Sequence, residues 1–333
     1  MDLALIWAII IAFSVLAYVL LDGFDLGVGI VFPLLANETE KKTAINTIVP
    51  VWDGNETWLV LGGGGLFAAF PLAYSTLLTA LYAPVIAMLL ALVFRGVSME
   101  YREKSKQWRP FWNLGFCVGS TVAALCQGIM LGAFIQGIQV VDRTYVGGWY
   151  DWLTPFSFCC GLAIVFGYAL LGSSWLTMKT EANLHFKMQK LITPLTITVF
   201  LFIVALSTWT PYLDERLYVR WFTWPNILVL APIPLLVVVI TLLLIRHANN
   251  KKSYVPFLLA EGLFMATFAG FGISTYPYIV PHQVTIWEAA GPDSSLWFLL
   301  VGTLVLLPII VVYTAHSYWV FRGKVNDDRF GYH

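Results

Sequence analysis

The stretch Leu3–Leu21, LALIWAIIIAFSVLAYVLL, runs for nineteen residues without a charge and meets Asp22-Gly23-Phe24-Asp25 at its end. A helix needs about 20 apolar residues to cross the hydrocarbon of a bilayer, so this run reads as a membrane span. No basic n-region and no small-residue cleavage site accompany it, and it is expected to persist as the first span rather than be removed as a signal peptide.

The same window, moved outward, finds eight more runs, so the expected spans are Leu3–Phe32, Thr57–Tyr74, Leu77–Phe94, Gly115–Gly137, Phe156–Leu176, Leu191–Thr210, Ile227–Ile245, Phe257–Tyr276 and Leu296–Phe321. Backbone polar groups cannot be left open in lipid, which restricts spanning structures to helices and closed barrels. Barrel strands alternate apolar and polar residues, and these runs do not. The fold class is therefore an all-α integral membrane protein with nine transmembrane helices in one polytopic domain.

Composition agrees. Hydrophobic residues make up 59% of the 333 residues and charged residues 11%, against roughly 25% charged in a soluble domain. Lys plus Arg and Asp plus Glu both total 19, so no net field suits a nucleic acid. Cys117, Cys126, Cys159 and Cys160 sit in apolar stretches without metal or redox spacing and read as reduced, buried side chains.

Basic residues orient the spans, because cytoplasmic loops are enriched in Lys and Arg. With nine spans, one side collects Lys41, Lys42, Arg95, Arg102, Lys104, Lys106, Arg109, Lys179, Lys187, Lys190, Arg246, Lys251, Lys252, Arg322, Lys324 and Arg329. The other holds Arg143, Arg216 and Arg220. The N-terminus is thus expected outside and the C-terminus inside, in the cytoplasm.

Small residues four apart let helix backbones approach closely, and Gly23 with Gly27, Gly115 with Gly119 and Gly128 with Gly132 predict tight packing in the chain or with a partner. The run Gly62-Gly63-Gly64-Gly65 lacks the Lys of a phosphate loop and predicts a closely packed second helix. A short echo, Ala17-Tyr18-Val19-Leu20-Leu21 against Gly167-Tyr168-Ala169-Leu170-Leu171, fits a duplicated four-helix unit and equally fits chance.

Charges inside spans are costly and mark functional positions. The candidates are Asp22, Asp25, Asp53, Glu56 and Glu261, with no Lys or Arg in a span core to pair with them. Asp22 and Asp25 share a helix face, and Asp53 and Glu56 repeat the spacing at the start of the second span. Close carboxylates in poorly hydrated surroundings do not both ionise freely, which makes each pair a candidate proton relay. For Asp53 and Glu56 the competing reading is capping of a helix N-terminus. For Asp22 and Asp25 it is a polar contact to another helix, and for Glu261 it is snorkelling to the interface. Trp52, Trp58, Trp108, Trp112, Trp149 and Trp152 cluster at expected span ends, as a membrane-interface belt does. Of His185, His247, His282, His316 and His333, only His316 falls in a span, which argues against haem ligation by two histidines of this chain.

Three groups of residues carry a specific likeness. Asp22-Gly23-Phe24-Asp25-Leu26-Gly27-Val28-Gly29, then Asn46-Thr47-Ile48, then Trp52-Asp53-Gly54-Asn55-Glu56-Thr57-Trp58-Leu59 together resemble the signature of subunit II of cytochrome bd-type quinol oxidases. Gly63-Gly64-Gly65-Leu66-Phe67-Ala68-Ala69-Phe70-Pro71, Phe94-Arg95-Gly96, Tyr276-Pro277 and Leu307-Pro308-Ile309-Ile310 extend the likeness over the whole chain. The resemblance implies two four-helix bundles, about residues 1–138 and 156–277, and a peripheral ninth helix at about 296–321. It implies a partner, subunit I, that holds two b-type haems and one d-type haem and the main quinol site, while this chain holds no haem and no metal. A small single-span accessory subunit, quinol and lipid are further implied partners, in a bacterial cytoplasmic membrane. The complex oxidises quinol and reduces oxygen to water with protons drawn from the cytoplasm. Asp25 and Asp53 match acidic positions of a cytoplasm-facing proton route, with Asp22 and Glu56 weaker candidates. Some relatives hold a quinone near the Trp-Asp-Gly-Asn helix, which would put Trp52 beside such a ligand.

Two other functions compete on the same residues. One is a proton-coupled secondary transporter whose buried carboxylates bind ions. The other is a structural assembly subunit whose acids only pack.

Overall fold

The structure, a computed structural model, describes residues 2–249 and 254–325, so Lys251, Lys252, Arg329 and His333 lie outside the described residues. Its helices are α1 Leu3–Val31, α2 Glu38–Asn46, α3 Trp52–Ala69, α4 Pro71–Ala80, α5 Tyr82–Lys104, α6 Arg109–Gln136, α7 Pro155–Lys179, α8 Ala182–Trp209, α9 Glu215–Phe222, α10 Asn226–Leu230, α11 Pro232–His247, α12 Tyr254–Thr275, α13 Ile286–Ala289 and α14 Asp293–Val320. Two short antiparallel hairpins, β1 Val140–Val141 with β2 Thr144–Tyr145 and β3 Tyr278–Val280 with β4 Val284–Thr285, lie in the loops after α6 and α12.

Eight helical stretches among the described residues are long and apolar enough to cross a membrane, and the bent pair α3 and α4 brings the number to nine if taken as one span. That pair corrects the expected second and third spans. α3 ends at Ala69, and α4 leaves it at 120°. Pro71 has no N–H to donate back into α3 and disfavours helical backbone at Phe70 before it. The third span begins at Tyr82 rather than Leu77 and runs on past Phe94 to Lys104. Hydropathy averages over a bend and stops at the first polar residue, which is why both boundaries were misplaced.

Helix α1 is central, packed on α3, α6 and α7. α5 pairs with α6, and α7 with α8 and α12, while α11 lies between α8 and α12. The glycine pairs explain how close these helices come. A Cβ on Gly27 would stand 2.7 Å from the Gly172 nitrogen and closer still to the Tyr168 carbonyl, so α1 and α7 meet backbone to backbone. A Cβ on Gly128 would stand 2.6 Å from the Gly161 Cα of α7, and one on Gly119 2.8 Å from the Ala91 carbonyl of α5. All three expected small-residue contacts are therefore made within the chain. The four-glycine run divides: Gly62 and Gly65 lie against Val15 and Ile11 of α1, while Gly63 and Gly64 face open space.

Trp58 leaves the expected interface belt, being buried in α3 with its ring edge-on to Phe13. α14 is peripheral, with most of its apolar side chains exposed, and touches α1 and α3. Beyond the membrane spans, Glu40 of α2 ties the first connecting loop to α8. It accepts from the Ala36 N–H at 2.9 Å, Asn183 at 3.0 Å and Lys187 at 3.4 Å. Burial opposes its charge, but these three donors outweigh it and hold the carboxyl below the ordinary glutamate range.

Candidate functional site

At the end of α1 where the chain turns toward α2, Asp22 and Asp25 are both fully buried. Three residues apart, they point the same way from one helix, as the sequence implied. Each is held by a neighbour. Arg95 of α5 donates through both terminal nitrogens to Asp22 Oδ1, 2.9 Å each, and through Nη2 to Glu56 Oε1 of α3 at 2.8 Å. Asn55 of α3 donates to Asp25 Oδ2 at 2.7 Å and to the Leu21 carbonyl at 3.1 Å, and accepts from the Tyr318 hydroxyl of α14 at 2.9 Å.

Arg95 corrects the expectation that these acids have no cation. Counted as an inner-loop residue in the charge tally, it is completely buried. The reason is the length of α5, which continues beyond Phe94 and carries Arg95 and, seven residues on, Arg102 along one buried face. A burial-spaced pair of arginines after an apolar run was the available signal. Glu56 is likewise corrected: its side chain spans to Arg95 instead of capping α3, whose N-cap, Val51, receives no side-chain hydrogen bond.

Asp53 stands apart. It is exposed in the first turn of α3, three residues before Glu56 and within electrostatic reach of it, and takes no part in the hydrogen bonds to Arg95. Trp52, beside it, lies against the Arg95 guanidinium, 5.9 Å from ring centroid to Cζ, and packs on Gly96. Glu261 of α12 is half-buried and within electrostatic reach of Tyr168 and Tyr318. Asn55 and Tyr318 are the members that sequence reasoning passed over. Asn55 stood in the quoted motif without a role, and Tyr318 is distant in sequence and came from a helix expected to be peripheral.

Three buried or half-buried carboxyl groups, Asp22, Asp25 and Glu56, thus cluster about one arginine, which pairs with Asp22 and Glu56. Asp22 Oδ2 and Asp25 Oδ1 take no hydrogen bond among the described residues. Anionic sites therefore outnumber the fixed counter-charge in this buried setting.

Histidine chemistry is different. His185 and His247 each place Nδ1 on a backbone carbonyl, of Thr177 at 2.7 Å and Leu243 at 2.9 Å, and His282 faces Asp214 at 3.3 Å. His316 lies against Trp319. These rings sit at separate helix ends and loops and do not face one another as a haem ligand pair would, and no cluster of three His, Cys, Asp or Glu suited to a metal occurs among the described residues.

The family model described as cytochrome bd terminal oxidase subunit II matches residues 3–321. Subunit 2 of the cytochrome bd-I ubiquinol oxidase of Escherichia coli strain K12 is 28% identical, over 98% of this chain and 96% of its own length. Subunit 2 of the cytochrome bd ubiquinol oxidase of Bacillus subtilis strain 168 is also 28% identical, with 96% of each chain covered. Among solved structures, the bd oxidase from Geobacillus thermodenitrificans superposes with a TM-score of 0.80 over 97% of this chain and 100% of that chain, at 17% identity, a likeness of fold. Matched from the first apolar helix to the last, this chain belongs to the cytochrome bd terminal oxidase subunit II family.

Proposed function

We propose that the chain is the haem-free second subunit of a bd-type quinol:oxygen oxidoreductase, supporting a haem-bearing subunit I and supplying it with protons from the cytoplasmic side. The family and the names of its relatives support the assembly, and the separated histidines support placing the two b-type haems and the d-type haem in the partner. The excess of Lys and Arg on one side supports a cytoplasmic C-terminus and a periplasmic N-terminus.

The observation that carries the proton role is the gradient of exposure along α3 and α1. Asp53 is exposed at the helix start, Glu56 one turn on is half-buried, and Asp22 and Asp25 are fully buried. A proton accepted at Asp53 would pass to the Glu56–Arg95–Asp22 group or to Asp25 and leave toward the partner. Quinol oxidation on the other side would release its protons there, so charge separates through the placement of the two half-reactions.

The test is oxygen consumption by the purified two-subunit complex carrying Asp53→Asn or Asp25→Asn. Turnover should fall by about ten-fold or more with the haem spectrum retained, as expected when a proton-transfer group is neutralised. Wild-type turnover in both variants removes the proton role and leaves a packing subunit. Loss of haem makes the residues structural.

A further inference from the structure

The acid cluster has a connection to the other half of the chain that the proton route does not use. Gln127 of α6 donates from Nε2 to the Tyr18 hydroxyl at 2.8 Å and accepts at Oε1 from the Tyr168 hydroxyl at 2.7 Å. Tyr18 and Tyr168 are both about as buried as side chains become, 3% and 1% exposed. They are also the two tyrosines of the sequence echo, one on α1 and one on α7, now joined through a single amide.

Direction matters in this chain of hydrogen bonds. The Tyr168 proton points at Gln127, and the Gln127 proton points at Tyr18. The Tyr18 oxygen is thereby occupied as an acceptor, which frees its own proton for another partner. One helical turn along α1 lies Asp22, within electrostatic reach of Tyr18, and its Oδ2 takes no hydrogen bond among the described residues. The opposite orientation of the amide would spend the Tyr18 proton on Gln127 and leave none to turn toward Asp22. Aligned donors polarise one another, so the end of the chain is a stronger donor than a lone tyrosine.

We propose that Gln127, anchored by Tyr168, is a positioning residue that aims the Tyr18 hydroxyl at Asp22 and so lets α7 of the second half set how readily Asp22 exchanges its proton. The groups facing Asp22 are Tyr18 and Asp25 on α1, Glu56 on α3, Arg95 on α5, Tyr168 on α7 and Tyr318 on α14. From α7, Tyr168 is joined to Tyr18 by hydrogen bonds through the Gln127 amide. This inference rests on the proton role proposed above.

The experiment uses the complete complex with Gln127→Leu, Tyr168→Phe and Asp22→Asn. It reads the haem spectrum, the pH profile of oxygen consumption, and the carboxyl band that Asp22→Asn removes from the pH-difference infrared spectrum. Expected is an intact haem spectrum in Tyr168→Phe, turnover lowered about three-fold to ten-fold, and a midpoint of the Asp22 band moved by about one pH unit, the size of effect one lost hydrogen bond has on a buried carboxyl. Gln127→Leu should move the band at least as far. Slow Asp22→Asn with an unmoved band and unchanged profile in Tyr168→Phe overturns the inference while sparing the proton role. Wild-type turnover in Asp22→Asn overturns the proton role at Asp22 itself. If Gln127→Leu fails to assemble, Tyr168→Phe decides alone, and failure of both to assemble makes the chain a packing device and overturns the inference as well.

Discussion

Arg95 places two nitrogens on a single oxygen of Asp22, 2.9 Å each, with both side chains fully buried. One arginine thereby binds α5 to α1 and, through Glu56, to α3.

Removing that cation strands the acids. Arg95→Met should cost about 3–5 kcal/mol, the usual result of leaving a buried charge without its partner. The check is thermal unfolding of the purified complex. Arg95→Met combined with Asp22→Asn should recover part of the loss, because the double variant buries no unpaired charge at that position.

Backbone contact between α1 and α7 gives a sharper contrast. Gly27→Ala would press a methyl against the Tyr168 carbonyl and the Gly172 nitrogen, atoms of a helix backbone that cannot step aside, and should lower stability by about 1–3 kcal/mol or prevent assembly. Gly272→Ala, in α12 with nothing within 4 Å, should be within about 0.5 kcal/mol of the parent. Expression level and melting temperature in detergent distinguish the two.

Asn55 holds three partners on two other helices, α1 and α14. Asn55→Leu loses the bonds to Asp25, the Leu21 carbonyl and Tyr318 and should destabilise by about 2–4 kcal/mol, whereas Tyr318→Phe loses one bond and should cost about 1 kcal/mol. Limited proteolysis of the α14 end should speed up in both, more in Asn55→Leu.

The Glu40 clamp predicts a pH dependence outside the membrane. Its carboxyl is held below the ordinary range in the folded chain, so its contribution is present above the unfolded glutamate value and is lost as pH falls through the depressed folded value. Glu40→Gln should therefore lower the melting temperature at neutral pH, and the gap from the parent should close under acid conditions. A constant gap at every pH would contradict the assignment.

Nine runs of apolar residues, the acidic pair on α1 and the glycine spacings were legible in the chain because each depends on local composition and helical period. Lipid forces every backbone group to be satisfied within its own segment, so a run of sufficient length dictates a helix whatever surrounds it. The tertiary structure alone decided which groups those helices bring together. Arg95 reads as a loop residue until α5 is seen to continue past it, and Tyr318 gains a role only where α14 brings its hydroxyl to Asn55. Gln127 carries no charge and no motif, and it acquires a role only where α6 passes between two tyrosines 150 residues apart. Periodicity fixes the face on which a side chain stands, but the partner on that face comes from another helix, and its choice depends on packing across the whole molecule.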